Sequence, residues 1–392
     1  MTDSIIVQKF GGTSVGSIDR IRAVAEQVIK TKEHGHSVVV VVSAMSGETN
    51  RLQVLANQVD TLPSSRELDV LLSAGEQVSM SLLAMTLQKL GHDAVSLTGW
   101  QAGIQTDEKH AQARIIGINT DAINQQLQLG KIVIVAGFQG ITEQGNISTL
   151  GRGGSDTTAV TLAGYLGAKE CQIYTDVDGV YSCDPRVVTA ARKLDTIGFQ
   201  DMIDMAKYGA KVLHLPCVEF AEQHNLPIRV LSSFSPLQGT LVKAQESSGG
   251  VVGVALRRNL MQITSNNETI DKLVAQCNEQ ELEVFRVLSK DQSGVVVSQV
   301  DLAKLMQVIH EEAVHIDDVC SVSLIGRSNL SSIQALEALL AEDDIEIVSH
   351  SLCERHTMML LAPEYLDKAA NIIHDVYVDQ NELLSVSKRR VS

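Results

Sequence analysis

The sequence predicts an α/β protein in which a mostly parallel sheet is sandwiched by helices and followed by two ferredoxin-like βαββαβ units. Three observations carry that expectation. Near the start, the apolar run Ile5-Ile6-Val7-Gln8-Lys9-Phe10 breaks into Gly11-Gly12-Thr13-Ser14. A helical pattern and a second, β-branched run follow, which together make one βαβ unit. Further apolar runs at 94–97, 131–137 and 170–175 supply more strands of the same kind. From about residue 245 the texture changes: Ser247-Ser248-Gly249-Gly250 reads as a linker, and shorter strands and helices repeat at about 60 to 70 residues. The expected domains are therefore 1–245, 255–318 and 319–392.

The whole chain narrows the function classes. Its 392 residues, 44% apolar and 20% charged, are enough for two or three domains with proper cores. Lys plus Arg number 32 against 47 Asp plus Glu, a formal net charge of -15. No basic run precedes Lys388-Arg389-Arg390, which argues against a nucleic-acid partner. The amino terminus has no leader pattern and no apolar run approaches the roughly 20 residues of a membrane span, so the expectation is a soluble cytoplasmic protein without a membrane partner. The six cysteines lie far apart with no C-x-x-C pair, which predicts reduced, mostly buried thiols and no metal site. His34 and His36 read as a polar turn around Gly35.

Taken in order, the chain gathers ligand-type loops. Lys9 ends the first strand, and the glycine turn after it offers backbone N–H groups to an anion. The spacing is neither that of a Walker A loop nor G-x-G-x-x-G. Residues 18–34 place Ile21, Val24, Ala25, Val28 and Ile29 at helical spacing. The valine run 37–43 suits a strand buried on both faces and ends in the hydroxyl-rich loop Ser43-Ala44-Met45-Ser46-Gly47-Glu48-Thr49-Asn50. Ligands of open α/β sheets collect beyond the carboxyl ends of strands, so this loop would face the crevice of Lys9. Residues 66–90 read as helix, interrupted at Ser73-Ala74-Gly75-Glu76-Gln77. Glu76 there is either a solvated helix residue or one that small neighbours open to a ligand.

The strands at 131–137 and 170–175 end in Gly137-Phe138-Gln139-Gly140 and Tyr174-Thr175-Asp176-Val177-Asp178-Gly179. Between them, Leu150-Gly151-Arg152-Gly153-Gly154-Ser155-Asp156 leads into a helix at 159–166, with Ser155, Asp156 and Thr157 as capping residue types. Exposed amides and a bidentate guanidinium suit a carboxylate or phosphate. Farther on, Tyr181, Asp184-Pro185-Arg186 and Gly209-Ala210-Lys211-Val212-Leu213-His214 add two cations. In the tail, strands are expected at 259–264, 282–288, 295–298, 320–325, 345–351 and 356–361. Helices are expected near 268–279, 301–313, 331–341 and 364–376, and no catalytic cluster appears.

Together, Lys9-Phe10-Gly11-Gly12-Thr13-Ser14, Val42-Ser43-Ala44-Met45, Leu150 to Asp156, Tyr174-Thr175-Asp176-Val177, Asp184-Pro185-Arg186 and Gly209 to His214 resemble the aspartokinases. The tail more loosely resembles tandem ACT domains. The resemblance implies an amino-acid-kinase fold over residues 5 to about 240. It also implies ATP-dependent phosphorylation of the L-aspartate β-carboxylate to 4-phospho-L-aspartate, the entry step to lysine, threonine and methionine. A carboxylate is already nucleophilic at neutral pH, so such chemistry asks for positioning and cations rather than a strong base. By this resemblance Lys9 would touch the transferring phosphate within a cradle of Phe10, Gly11, Gly12 and Ser14, and Asp156 would orient Lys9. Ser43, Thr49, Gly153 and Ser155 would contact the substrate, Glu76 its ammonium, and Arg152 one of its carboxylates. Thr175, Asp176, Tyr181, Arg186 and Lys211 would line the nucleotide pocket. Mg2+ would be held largely by phosphates and water.

The same resemblance implies a homodimer paired through the ACT-like units, with lysine or threonine as feedback effector. The tail departs from that pattern. Where ACT units of aspartokinases usually carry an Asp-x-Pro-Gly type turn, the chain has Thr264-Ser265-Asn266-Asn267-Glu268 and Gly326-Arg327-Ser328-Asn329-Leu330-Ser331-Ser332. Two other readings stay open: a kinase for another acceptor, of the glutamate 5-kinase or acetylglutamate kinase type, and a non-catalytic amino-acid sensor.

Overall fold

The computed structural model describes residues 4–245, 250–280, 282–288, 293–306, 314–326 and 333–379. The linker residues Ser247 to Gly249, the turn residues Arg327 to Ser332, residues 307–313 of an expected helix and Lys388-Arg389-Arg390 lie outside the described residues. The chain forms two compact units: residues up to 180 with 194–199 and 212–245 make the first, and 181–193, 200–211 and the chain from 246 on make the second. The stretch expected as one domain to residue 245 thus lends two segments to the second unit.

In chain order the first unit has β1 (Ile5–Phe10), α1 (Ile18–Glu33), β2 (Ser37–Val42), α2 (Glu48–Val59), α3 (Ser65–Lys89), β3 (Ala94–Leu97), β4 (Ile104–Thr106), β5 (Ile115–Ile118) and α4 (Asp121–Gln128). It continues with β6 (Ile132–Ala136), β7 (Gln139–Thr142), β8 (Ile147–Thr149), α5 (Gly154–Tyr165), β9 (Glu170–Thr175) and β10 (Thr196–Gly198). After α6 (Phe199–Tyr208), which from Gln200 on belongs to the second unit, it closes with α7 (Leu215–Gln223), β11 (Ile228–Ser232) and β12 (Thr240–Lys243). The main sheet runs β10-β12-β11-β9-β1-β2-β6-β3, with β11 and β12 antiparallel and the other neighbours parallel.

β1 is central, and Lys9 stands opposite Val41 on one side and Ile173 on the other. One sheet face, through Phe10, Val38, Val40, Val42, Ile132 and Ile134, packs on Ile21, Val24 and Val28 of α1 and on Met80, Leu83 and Leu87 of α3. The pleat turns Val39 and Val41 the other way. Helix α5 packs against β1, β2 and β9, and α7 packs against α5. A second sheet, β5-β4-β7-β8, stands apart from the first.

Three expectations are corrected. Residues 65–89 form one unbroken helix, because Gly75 marks a close approach and not a break: a Cβ there would stand 2.9 Å from Cβ of Ala44. This α3 is also long and apolar enough, on composition alone, to cross a membrane, contrary to the expectation that no run approaches that length, but half of its apolar window is buried inside the protein. The loop expected at 43–50 is likewise cut short, since α2 starts at Glu48.

The second unit contains β13 (Gly253–Ser265), α8 (Asn267–Glu279), β14 (Phe285–Leu288), β15 (Ser293–Ser298), α9 (Gln299–Met306), β16 (His315–Ile325), α10 (Ile333–Ala341), β17 (Ser349–Cys353), β18 (His356–Leu361) and α11 (Leu366–His374). Its strands join in the order β13-β15-β14-β17-β18-β16, and β16 returns to pair with β13. The two long strands are shared. Leu260 to Ser265 pair with β15 and with the first half of β16, whereas Gly253 to Arg257 pair with its second half, across a register shift between Arg257 and Leu260. Two ferredoxin-like sheets result, β14-β15-β13-β16 and β17-β18-β16-β13.

The boundary expected between 318 and 319 therefore falls inside β16, and the second sheet takes its fourth strand from before the first. Each sheet has its own core. Ile263, Val295 and Val297 pack on Ile270, Leu273 and Cys277, and Val322, Leu324 and Met359 pack on Leu336, Ala369 and Ile373. Cys183 and Val188 of the 181–193 segment join the latter core. Five cysteines are buried and Cys353 is exposed.

Candidate active site

A cavity of about 320 Å³ opens at the carboxyl ends of β1 and β2 in the first unit. Its floor is the turn after β1, where Gly11 N–H donates to Tyr174 O at 3.3 Å and Ser46 N–H donates to Gly12 O at 3.1 Å. That second bond brings the loop after β2 against the glycine turn so closely that a Cβ on Gly12 would stand 2.9 Å from Ala44 O. Two helices of twelve residues begin at the cavity, α2 behind Gly47 and α5 behind Gly153. Both capping glycines have left-handed backbones, φ 82° and 70°, and neither supplies a side-chain cap. The first amide of each helix is taken, Glu48 N–H by Met45 O at 2.9 Å and Gly154 N–H by Gly151 O at 3.1 Å. The next amides, of Thr49 and Ser155, are left to an anion at the positive ends of two helix dipoles.

Charged side chains complete the lining. Lys9 Nζ pairs with Asp156 Oδ1 at 2.6 Å, with side chains only 10% and 19% exposed. Glu76 Oε1 accepts from Ala44 N–H at 3.0 Å, and among the described residues its buried Oε2 has no hydrogen-bond partner. Burial pushes this carboxyl up to about 7, against the opposing pull of the Ala44 N–H. Behind the α5 terminus the ring of His214 stands where a Cβ on Gly153 would meet it at 2.6 Å. Burial lowers the basicity of this imidazole, although Asp156 opposes the shift.

Of the residues singled out in the sequence, Lys9, Gly12, Ser43, Thr49, Glu76, Gly153, Ser155 and Asp156 line the cavity together. The others are not among these lining residues. Phe10 is buried with its ring stacked on Tyr174, centroids 4.5 Å apart. Gly11 lies beside Lys9, its would-be Cβ 3.5 Å from Nζ. Ser14 is buried and bonded to Ser233 Oγ at 2.5 Å, so its hydroxyl supports the turn from behind. Arg152 is exposed between two glycines that line the cavity. Thr175 Oγ1 donates to Asp176 Oδ1 at 3.1 Å at the end of β9. Tyr181, Arg186 and Lys211 fall in the second unit, where Arg186 grips Asp184 by Nε at 3.0 Å and Nη2 at 2.8 Å and holds that carboxyl below its usual range.

Sequence reasoning missed Phe138 as a wall of the cavity. The Gly-Phe-Gln-Gly stretch signalled a strand end, but the left-handed φ of 68° at Phe138 has no sequence signature for an aromatic residue.

Residues 4–232 match the amino acid kinase family, and the chain belongs to it. An aspartate kinase of Stutzerimonas stutzeri is 42% identical over 400 residues, covering 95% of this chain and 97% of its own. Aspartokinase 2 of Bacillus subtilis is also 42% identical, over 95% of this chain and 97% of its own. Within the family, then, the chain belongs with the aspartokinases. The crystal structure of Escherichia coli aspartokinase III in complex with aspartate and ADP matches with a TM-score of 0.78 at 25% identity, over 95% of this chain and 99% of that one.

Proposed function

We propose that the cavity carries the transfer of the γ-phosphoryl group of ATP to the β-carboxylate of L-aspartate, giving ADP and 4-phospho-L-aspartate. The observation that carries this reading is the Lys9–Asp156 pair between two helix N-termini, in one cavity with the unpartnered oxygen of Glu76. The ionised β-carboxylate attacks phosphorus, the bond from the γ-phosphorus to the β,γ-bridging oxygen breaks, and no proton moves. The protein's part is to align two anions and stabilise the charge spread over the phosphoryl oxygens.

Lys9 and the amide of Gly12 take the phosphoryl oxygens, Gly11 N–H being spent on Tyr174 O beneath them, and Asp156 holds Lys9 in place. Glu76 takes the α-ammonium, Ser43, Thr49, Gly153 and Ser155 surround the substrate, and Arg152 takes the α-carboxylate by its planar fork. Thr175 and Asp176, at the end of β9, contact the nucleotide. Tyr181, Arg186 and Lys211 are assigned to the nucleotide by the family motifs alone. Among the described residues no group of three His, Cys, Asp or Glu side chains is placed to hold a metal. Mg2+ carried on the nucleotide would neutralise the phosphate oxygens, with ligands from phosphate and water.

Trapping the acyl phosphate with hydroxylamine tests the acceptor. Aspartate and MgATP should yield aspartyl hydroxamate, while glutamate gives none; hydroxamate from glutamate alone would replace aspartate as the substrate. The paired ferredoxin-like sheets are assigned to dimerisation and effector binding. In the first of them Asn266 Oδ1 caps α8 by accepting from Thr269 N–H at 2.9 Å, so the turn is set without a Pro-Gly pair. Activity unchanged by millimolar lysine, threonine or both would remove feedback from this reading.

A further inference from the structure

We propose that Asp69 is a positioning residue for the turn Gly151–Ser155, an inference that rests on the substrate-binding reading of that turn. Asp69 is fully buried on α3, far from where a carboxylate is cheap to keep. Four donor contacts hold it. Thr149 Oγ1 donates to Oδ1 at 2.5 Å, His110 Nδ1 donates to Oδ2 at 2.7 Å, and Ala111 N–H lies 3.1 Å from each oxygen. This bonding keeps Ala111 in a left-handed conformation, φ 66°, that an alanine avoids on its own.

The network reaches the cavity by the shortest route. Thr149 ends β8, two residues before Gly151, and its carbonyl accepts from Ala113 N–H at 2.9 Å. The 110–113 segment lies against the turn itself, since a Cβ on Gly151 would stand 3.2 Å from Ala111 O. Asp69 is also one of three residues spaced for a single face of α3. Ser73 O accepts from Gln139 Nε2 at 2.8 Å, beside the Phe138 wall, and Glu76 holds Ala44 N–H. One rigid helix thereby anchors the loop after β2, the turn after β6 and the glycine turn before α5. A carboxylate can accept all four contacts, whereas an asparagine would turn an NH2 group toward one of the donors.

The test compares kcat, the KM values for aspartate and ATP, and the thermal midpoint, in the full chain and its variants. Asp69→Asn should raise the KM for aspartate about tenfold or more while the KM for ATP changes less than about twofold. Thr149→Val should move the aspartate KM in the same direction by less, and Thr149→Ser, which keeps the hydroxyl, should restore the parent value. The proposal is overturned if Asp69→Asn has the parent's aspartate KM, or if both KM values rise together with a fall in the midpoint. If Asp69→Asn does not fold, Thr149→Val decides by the same criteria. The parent's yield of aspartyl hydroxamate is measured alongside, so that a failed substrate assignment is told apart from a failed role for Asp69.

Discussion

Glu76 sets the pH behaviour of the cavity. Its carboxyl titrates near 7 in the folded chain because burial penalises the charge, and an aspartate ammonium needs the charged form. The KM for aspartate should therefore rise as pH falls from about 8 to 6, and Glu76→Gln should raise it at every pH and flatten that profile. The folded-state pKa lies above the ordinary 4.5, so the fold favours the neutral acid. That contribution is complete below the ordinary value and is lost as pH rises through 7. Ligand-free Glu76→Gln should thus match the parent near pH 4 and exceed its stability at about pH 8 by something on the order of 3 kcal/mol, read by chemical denaturation. Lys9 acts on the reacting oxygens, so Lys9→Met should lower kcat by about a hundredfold or more with the aspartate KM little changed. A Lys9→Met protein that turns over like the parent would remove Lys9 from the chemistry.

Helix α5 is placed by backbone geometry that only glycine meets. Gly153 combines a left-handed φ of 70° with the ring of His214 where its Cβ would be. Gly153→Ala should cost about 1 to 2 kcal/mol from the backbone alone, and it should weaken substrate binding by shifting the α5 amides. Thermal unfolding and the aspartate KM check this together. How much was legible also divides at this scale. The β1 turn and the Arg152 turn stand in the sequence as contiguous residue types, so Lys9 and Asp156 could be chosen before their meeting in one cavity was known, whereas the role of Glu76 comes from the family resemblance alone. Asp69 and Ser73 could not. In the sequence of α3 a buried aspartate looks like a solvated one, and what marks it is bonding to residues 41 and 80 positions away. Gly75 misled for a related reason, since a helix glycine that makes room for Ala44 reads as a break until the neighbour is seen.

The second unit shows what local pattern cannot carry at the scale of the molecule. Its repeat of strands and helices was visible, but the sharing of β13 and β16 between two sheets arises from pairing between residues more than 50 apart in sequence. Within this unit, Arg355 at the β17–β18 turn holds two acids of α6, Asp201 at 2.7 Å and Asp204 at 3.0 Å, and Tyr208 Oη lies 2.6 Å from His356 Nε2. Burial raises the Asp204 carboxyl, and the Arg355 guanidinium opposes the shift. Arg355→Ala should destabilise the unit by about 2 to 4 kcal/mol, measured as faster hydrogen exchange in 200–208 and 349–361. Unchanged exchange in both segments would show that the tie contributes nothing.

The most direct measurement is a crystal structure of the chain with L-aspartate and a non-hydrolysable ATP analogue bound together. A β-carboxylate oxygen should lie within about 3.5 Å of the γ-phosphorus, in line with the bridging atom, with Lys9 on the γ-oxygens and Glu76 on the ammonium. Ligands in separate cavities, or an aspartate turned with its α-carboxylate toward the phosphate, would contradict the assignment of this site.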